Sequence, residues 1–169
     1  KYDLSTETWT DYSSKLPDEP GGDSLGNDPF AVQGGYDLVV SVKPDNENFV
    51  LIGGTNVYRI EDITTDATFT RIGGYVSNTS YAPYSVGGVE HHSDIHVLEF
   101  DPFDANTLFS GTDGGVHKTL DITAANIAWA SLNNNYITYQ FYHVALDPTT
   151  GSNFVFGGTQ DNGTKFGGT

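Results

Sequence analysis

The chain has 169 residues, with 7 basic against 22 acidic side chains and a formal net charge of −15 at pH 7. A surface of that sign is repelled by nucleic acid and by anionic lipid, so both are excluded as principal partners, while cations and neutral polar ligands such as glycans stay open. Cysteine and methionine are absent, which rules out a disulfide framework and a thiolate metal site.

The length alone suggests one domain with a real core. No apolar run approaches the roughly 18 residues of a membrane span, and no membrane insertion is expected. The chain opens on Lys1 rather than an initiator and carries no leader-like segment, so it reads as a processed product or a piece of a longer protein. Gly, Asn, Asp, Thr and Tyr are abundant and the helix formers scarce. That composition predicts an all-β, turn-rich fold without helices.

Residues 1–13 read as the end of a sheet unit, with a strand at Thr8-Trp9-Thr10. Residues 14–35, rich in Pro, Gly and Asp, form a long connection. A repeat then begins. The unit 36–72 holds strands at Tyr36–Val42, Phe49–Gly53, Val57–Ile60 and Thr68–Ile72. After a second loop over 73–93, the unit 94–132 holds His96–Phe100, Thr107–Ser110, Val116–Thr119 and Ile127–Leu132. A partial unit over 140–169 holds Gln140–Leu146 and Asn153–Phe156. Pro44, Pro102 and Pro148 mark one point of each copy, and Thr55, Thr112 and Thr159 another. A spacing of about 45 to 60 residues with four strands per unit is the period of a β-propeller blade. Aligning the copies on the prolines predicts one core face: Leu38, Val40 and Val42, then His96, Leu98 and Phe100, then Tyr142, Val144 and Leu146. The expected fold is therefore a partial β-propeller of about three and a half blades, from a parent of seven or more. An open propeller exposes unpaired inner edges, so the remainder of the same propeller, on this chain or another, is an expected partner. A single β-sandwich is the alternative architecture.

The polar residues with chemical potential gather in His91–Thr119. His92, Asp94 and His96 alternate, which in a strand places them on one face. The Asp113-Gly114-Gly115 tip should return beside them. Four readings of His92, Asp94 and His96 stand open. They can ligate a transition metal, although alternate strand positions spread three ligands over about 13 Å unless a bulge intervenes. They can form acid–base machinery, contact a ligand by hydrogen bonds, or make a buried polar network between neighbouring units. The face that carries these residues also collects His91 and the tip Gln160-Asp161-Asn162, a turn or a calcium or ligand site. Tyr75, Tyr81 and Tyr84 in the second loop suit stacking on sugar rings.

The blades resemble those of secreted sialidase-like and sortilin-like propellers with degenerate Asp-box repeats, of pattern Ser/Thr-x-Asp-x-Gly-x-Thr-Trp between the third and fourth strands. Thr119-Leu120-Asp121 with Trp129, Asp62 with Phe69, and Ser5-Thr6-Glu7-Thr8-Trp9-Thr10 carry the likeness, without the glycine and with longer spacing. The chain is also similar, over nearly its whole length, to large exported propeller proteins of Bacteroidetes that bear a generic glycosyl-hydrolase label. That likeness rests on Gln33-Gly34-Gly35-Tyr36-Asp37-Leu38, His92-Ser93-Asp94-Ile95-His96, Thr112-Asp113-Gly114-Gly115-Val116, Gln140-Phe141-Tyr142 and Gln160-Asp161-Asn162-Gly163-Thr164. The resemblance implies a secreted or cell-surface propeller that binds glycan or protein through its loop face. It also implies two alternatives, a glycoside hydrolase and a structural module of a larger exported protein. The Thr112–Gly115 tip is similar to a catalytic tip of xyloglucanase-like propellers, one residue shorter. It makes Asp113 the candidate catalytic carboxylate, with Asp94, Asp161 or a residue outside this chain as its second; a plain Asp-Gly hairpin turn is the other reading of the tip.

Overall fold

The computed structural model describes residues 1–17, 30–76, 90–136, 139–160 and 163–168. The described chain is all-β: its only helical pieces are short 3-10 turns such as Ser13–Lys15 and Gln33–Gly35. It divides into two compact units, Lys1–Asn134 and Asn135–Thr169.

The first unit contains a hairpin and two four-stranded antiparallel sheets. The hairpin pairs β1 (Tyr2–Asp3) with β2 (Thr8–Trp9). The first sheet has β3 (Val39–Lys43), β4 (Asn46–Gly53), β5 (Val57–Ile60) and β6 (Thr70–Gly73) side by side in chain order. The second repeats that order with β7 (Ile95–Asp101), β8 (Asp104–Thr112), β9 (Gly115–Thr119) and β10 (Ala130–Ser131). Short turns set each register. Lys43 pairs with Asn46 across Pro44-Asp45, and Asp101 with Asp104 across Pro102-Phe103. Thr112 faces Gly115 across Asp113-Gly114, the two-residue turn that the Asp-Gly pair signals.

The second unit is one three-stranded antiparallel sheet, β11 (Phe141–Leu146), β12 (Val155–Thr159) and β13 (Thr164–Gly167). Its first turn is tied by the Asp147 carboxylate, which accepts from the Thr149 amide at 2.9 Å and the Ser152 hydroxyl at 2.8 Å.

The two four-stranded sheets pack face to face. Leu51 and Val57 of the first meet Ile95, Leu98, Phe100 and Leu108 of the second, with Val39 packed alongside. Gly53 is needed where they touch: a Cβ there would lie 2.6 Å from Val39 and 2.8 Å from Ile95. The other face of the first sheet, with Val50, Ile52, Tyr58 and Ile60, is covered by Tyr12 and Phe30.

The expected common core face holds in part in the second sheet, where Leu98 and Phe100 are buried but His96 is half-buried and turns to Asp113. It fails in the first. Leu38, Val40 and Val42 are 56%, 63% and 46% exposed, and in the second unit Tyr142, Val144 and Leu146 are exposed too. In the first unit the reason is which neighbour each face meets. Adjacent strand residues point to opposite faces, and the first sheet offers the Val39–Leu51 face to its neighbour.

One turn repeats three times in the first unit: in the β1–β2 hairpin and between the third and fourth strands of both four-stranded sheets. Asp3, Asp62 and Asp121 each accept from the amide and hydroxyl two residues on: Ser5 (2.8 and 2.7 Å), Thr64 (2.8 and 2.5 Å) and Thr123 (2.9 and 2.6 Å). These bonds hold all three carboxyls below the usual carboxylate range, the side-chain bond contributing most. In the Asp62 and Asp121 turns a cation then caps the outward carbonyls. Lys15 Nζ donates to Ile63 O and Asp66 O at 2.6 and 2.7 Å, and Arg59 of the first sheet donates to Ile122 O and Ala124 O of the second at 2.7 and 2.8 Å. Replacing Arg59 with Leu strands two carbonyls at the sheet interface. Chemical denaturation of that variant should show a loss of about 2–4 kcal/mol, whereas an unchanged midpoint would mean that the sheets do not depend on this cap.

Candidate functional site

Four segments of the first unit meet at one end of the two sheets: 31–37, 53–56, 91–96 and 112–115. Their backbone bonds fix the frame. Thr55 donates its amide to Ala31 O at 2.7 Å, Asp94 donates to Thr55 O at 2.8 Å, Ile95 donates to Gly54 O at 2.9 Å, and Asp113 donates to Asp94 O at 3.2 Å.

Side chains converge on this frame. Gln33 Nε2 donates to Asp94 Oδ1 at 2.7 Å and to Asp37 Oδ2 at 3.3 Å, bridging two carboxylates. The Tyr36 hydroxyl donates to Asp113 Oδ1 at 3.2 Å, and His96 Nε2 bonds the same oxygen at 2.6 Å. The Tyr36 and His96 rings meet edge to face, with centroids 4.8 Å apart. Asp94 Oδ2 accepts from the Ser93 hydroxyl at 3.2 Å. The cluster grades from buried Asp37 through half-buried Asp94 to the exposed Tyr36 rim.

Two backbone outliers hold the bridge. Gln33 has φ 45° and Asp94 has φ 61°, a left-handed conformation that costs a non-glycine residue about 1–3 kcal/mol when the surroundings impose it. The two residues bond each other directly, so the strain sits at the centre of the carboxylate cluster.

The electrostatics follow from burial and crowding. Burial pushes the Asp37 carboxyl up to about 6, with the Asp94 charge adding to it. Asp37 Oδ1 has no hydrogen-bond partner among the described residues. Asp94 is raised by burial and then by the charge of Asp113. Tyr36 is raised, chiefly by Asp113.

The Asp113 tip returns beside the histidines as expected, and Gly114 packs so close to the His92 ring that a Cβ there would collide with it. The alternation of His92, Asp94 and His96 on one strand face does not hold. The strand starts only at Ile95, Asp94 has turned left-handed before it, and a register shift falls between Ile95 and Val97. His92 Nδ1 lies 2.9 Å from Ser93 O, while His96 turns to Asp113. Among the described residues no group of three or more His, Asp or Glu side chains could hold a metal ion.

His91 lies deep between the sheets, fully buried, with its ring 4.2 Å from Trp129 and 4.8 Å from His117. Tyr75 is only 5% exposed and gives its amide to Asn56 Oδ1 at 2.8 Å, so it packs in the interior instead of offering a face for stacking. Gln160 belongs to the second unit, where its amide bonds Gln140 O at 2.9 Å. Tyr81, Tyr84, Asp161 and Asn162 lie outside the described residues. The site residues absent from the sequence-based candidates are Gln33, Tyr36 and Asp37. Their signal was a glutamine before two glycines and an acidic residue at the mouth of an apolar strand.

No family model, curated protein or solved structure matches the chain.

Burial, joined by the charge of His117, holds His91 far below its ordinary value; burial and then His92 lower His117. The unfolded chain therefore takes up protons below about pH 6.5 that the folded chain refuses, and stability falls on acidification. Asp37 works the other way: raised from 3.8 to about 6, it binds a proton in the folded state first, so its contribution is lost as pH rises through 6. Urea unfolding between pH 6.5 and 5 should show Asp37→Asn losing stability more steeply than the parent and His91→Phe less steeply. Parallel profiles for the parent and both variants would contradict the assignment.

Proposed function

We propose that the chain is part of a secreted or cell-surface β-propeller. Its carboxylate end, built from Gln33, Tyr36, Asp37, Asp94, His96 and Asp113, binds a neutral, hydroxyl-rich ligand of the carbohydrate class. The propeller reading is supported by two successive four-stranded antiparallel sheets of one strand order, stacked face to face and closed by the same Asp-x-Thr turn.

The observation that carries the binding reading is the Gln33–Asp94 pair, held left-handed across two segments and gathering two carboxylates under an open tyrosine and histidine. A purely structural tie gains nothing from a raised, partly unpartnered buried carboxylate at its base. Carboxylates and an imidazole bond hydroxyl groups well, and the Tyr36 ring beside them offers an amphipathic contact surface. The same carboxylates, on a chain of net charge −15, repel anionic ligands.

Glycoside hydrolysis is the second reading. Asp37, raised to about 6, has the property a general acid needs near neutral pH, and Asp94 and Asp113 supply further carboxylates.

NMR titration of the full chain with neutral gluco- and xylo-oligosaccharides, with sialyllactose as the anionic control, tests the proposal. Neutral sugars should shift Tyr36, His96 and Asp113, and Asp113→Asn should weaken binding by about tenfold or more with the fold intact. Shifts absent, or confined to residues outside this cluster, would overturn it. Reducing sugar released by the parent chain, and lost in Asp37→Asn, would favour the hydrolytic reading.

A further inference from the structure

We propose that residues 90–93 form an acid-operated latch: protonation of His91 and His117 expels the His91 ring from between the two sheets, and the segment swings out about Asp94, lifting His92 off the Asp113-Gly114 tip.

The two rings are buried without the partners that imidazoles need. His91 is fully buried, and neither Nδ1 nor Nε2 has a hydrogen-bond partner among the described residues. Nor do His117 Nδ1 and Ser110 Oγ, on register-paired positions of β9 and β8. Buried polar atoms are nearly always paired, so this cluster is an exception. The His91 ring is held by shape instead. It packs against Trp129 and His117, and Gly73 makes room for it, since a Cβ there would lie 2.6 Å from Nδ1. A neutral ring tolerates such a place. An imidazolium brings two N–H donors and a charge, which burial without acceptors disfavours.

The neighbours do not offset that charge. Burial first, then the other imidazoles, keep both rings neutral: His117 and His92 act on His91, and His92 acts on His117. Exposed Glu90 is the acidic group that favours a proton on His117. The first sheet brings Val57 and Gly73 to this place, and its Arg71 points to the opposite face with Tyr58. In the second sheet Lys118 turns away from His117 and lies over Phe109. Asp37, Asp94 and Asp113 are engaged by Gln33, Tyr36 and His96.

One ring is fixed and the other is movable. His117 sits in β9, paired to Ser110 on one side and Ser131 on the other. His91 precedes β7, which starts at Ile95, and the residue before it is exposed. Among the described residues its main-chain tie is the Gly74 amide, which donates to His91 O at 3.2 Å. The segment therefore leaves without breaking a strand pairing. Asp94 keeps its own bonds to Thr55 and Asp113, and its left-handed turn just before a strand is where a hinge absorbs a dihedral change. Opening gives both imidazoles to water, where each takes a proton below about pH 6.5. The opening equilibrium then rises by up to about tenfold per pH unit for each ring. This inference does not depend on what the carboxylate end binds.

Amide hydrogen exchange of the isotope-labelled full chain, followed by NMR at pH 6.5 and pH 5 with and without low urea, is the test. The Gly74 amide should lose about tenfold or more of its protection at pH 5, with Gly114 and the Trp129 indole shifting over the same range. Its exchange should stay faster than that of Leu51 and Leu108 and respond little to urea, as a local opening that exposes little surface does. His91→Phe should keep Gly74 equally protected at both pH values, and His117→Gln should need a lower pH for the same loss. Asp37→Asn should respond as the parent does. The proposal falls if Gly74 protection in the parent is the same at both pH values, or if it matches Leu51 and Leu108 in level and urea dependence. It falls equally if the response survives in His91→Phe, is unchanged in His117→Gln, or vanishes in Asp37→Asn.

Discussion

The first unit depends on one residue held in an uncomfortable conformation. Asp94 sits at φ 61° with its amide on Thr55 of the first sheet and its carbonyl on the Asp113 amide of the second. One residue thus ties the loop after β4 to the tip between β8 and β9. Ile95 follows directly with a bond to Gly54 O, so the second sheet begins where the first has fixed it. The left-handed turn also swings the Asp94 carboxylate toward Gln33 instead of along the strand.

That arrangement separates two tasks. Below it, stability comes from apolar packing: Leu51 and Val57 against Leu98, Phe100 and Leu108, with Arg59 capping the neighbouring turn and Trp129 Nε1 donating to Ile72 O at 2.8 Å. Burial of this kind contributes about 1.5–3 kcal/mol per large side chain. Above it, carboxylates are crowded where burial penalises their charge, and Asp37 at about 6 records the cost. Crowded, buried carboxylates beside a strained backbone, on a scaffold whose apolar packing does not need their charge, are the pattern of a site retained for recognition or chemistry.

Much of the fold was legible in residue order. Proline-marked turns, the Asp-Gly tip and the alternation of β-branched residues located the strands to within a few positions, because those turns admit few backbone solutions. The return of Asp113 toward the histidines followed from hairpin geometry alone. The exposure of Val40 and Val42 was not legible, since it depends on which sheet covers which face. The site was legible only in part. Its acidic members Asp94 and Asp113 stood out, but the His92–Asp94–His96 alternation assumed a strand that begins three residues late. Gln33, Tyr36 and Asp37, some sixty residues earlier in the chain, reach the cluster through long-range bonds such as Gln33–Asp94, Tyr36–Asp113 and Thr55–Ala31, whose pairing no local pattern announces.

The central claim is that the Asp94 backbone holds the structure and its side chain serves a ligand. Thermal unfolding of Asp94→Gly at neutral pH measures this directly, because glycine keeps the left-handed turn without strain and removes only the carboxylate. An unfolding temperature equal to or above that of the parent is the predicted result. A drop of more than about 5 °C, on the order of 1 kcal/mol for a unit of this size, would show that the Gln33–Asp94 bond is itself a structural tie and would contradict the account.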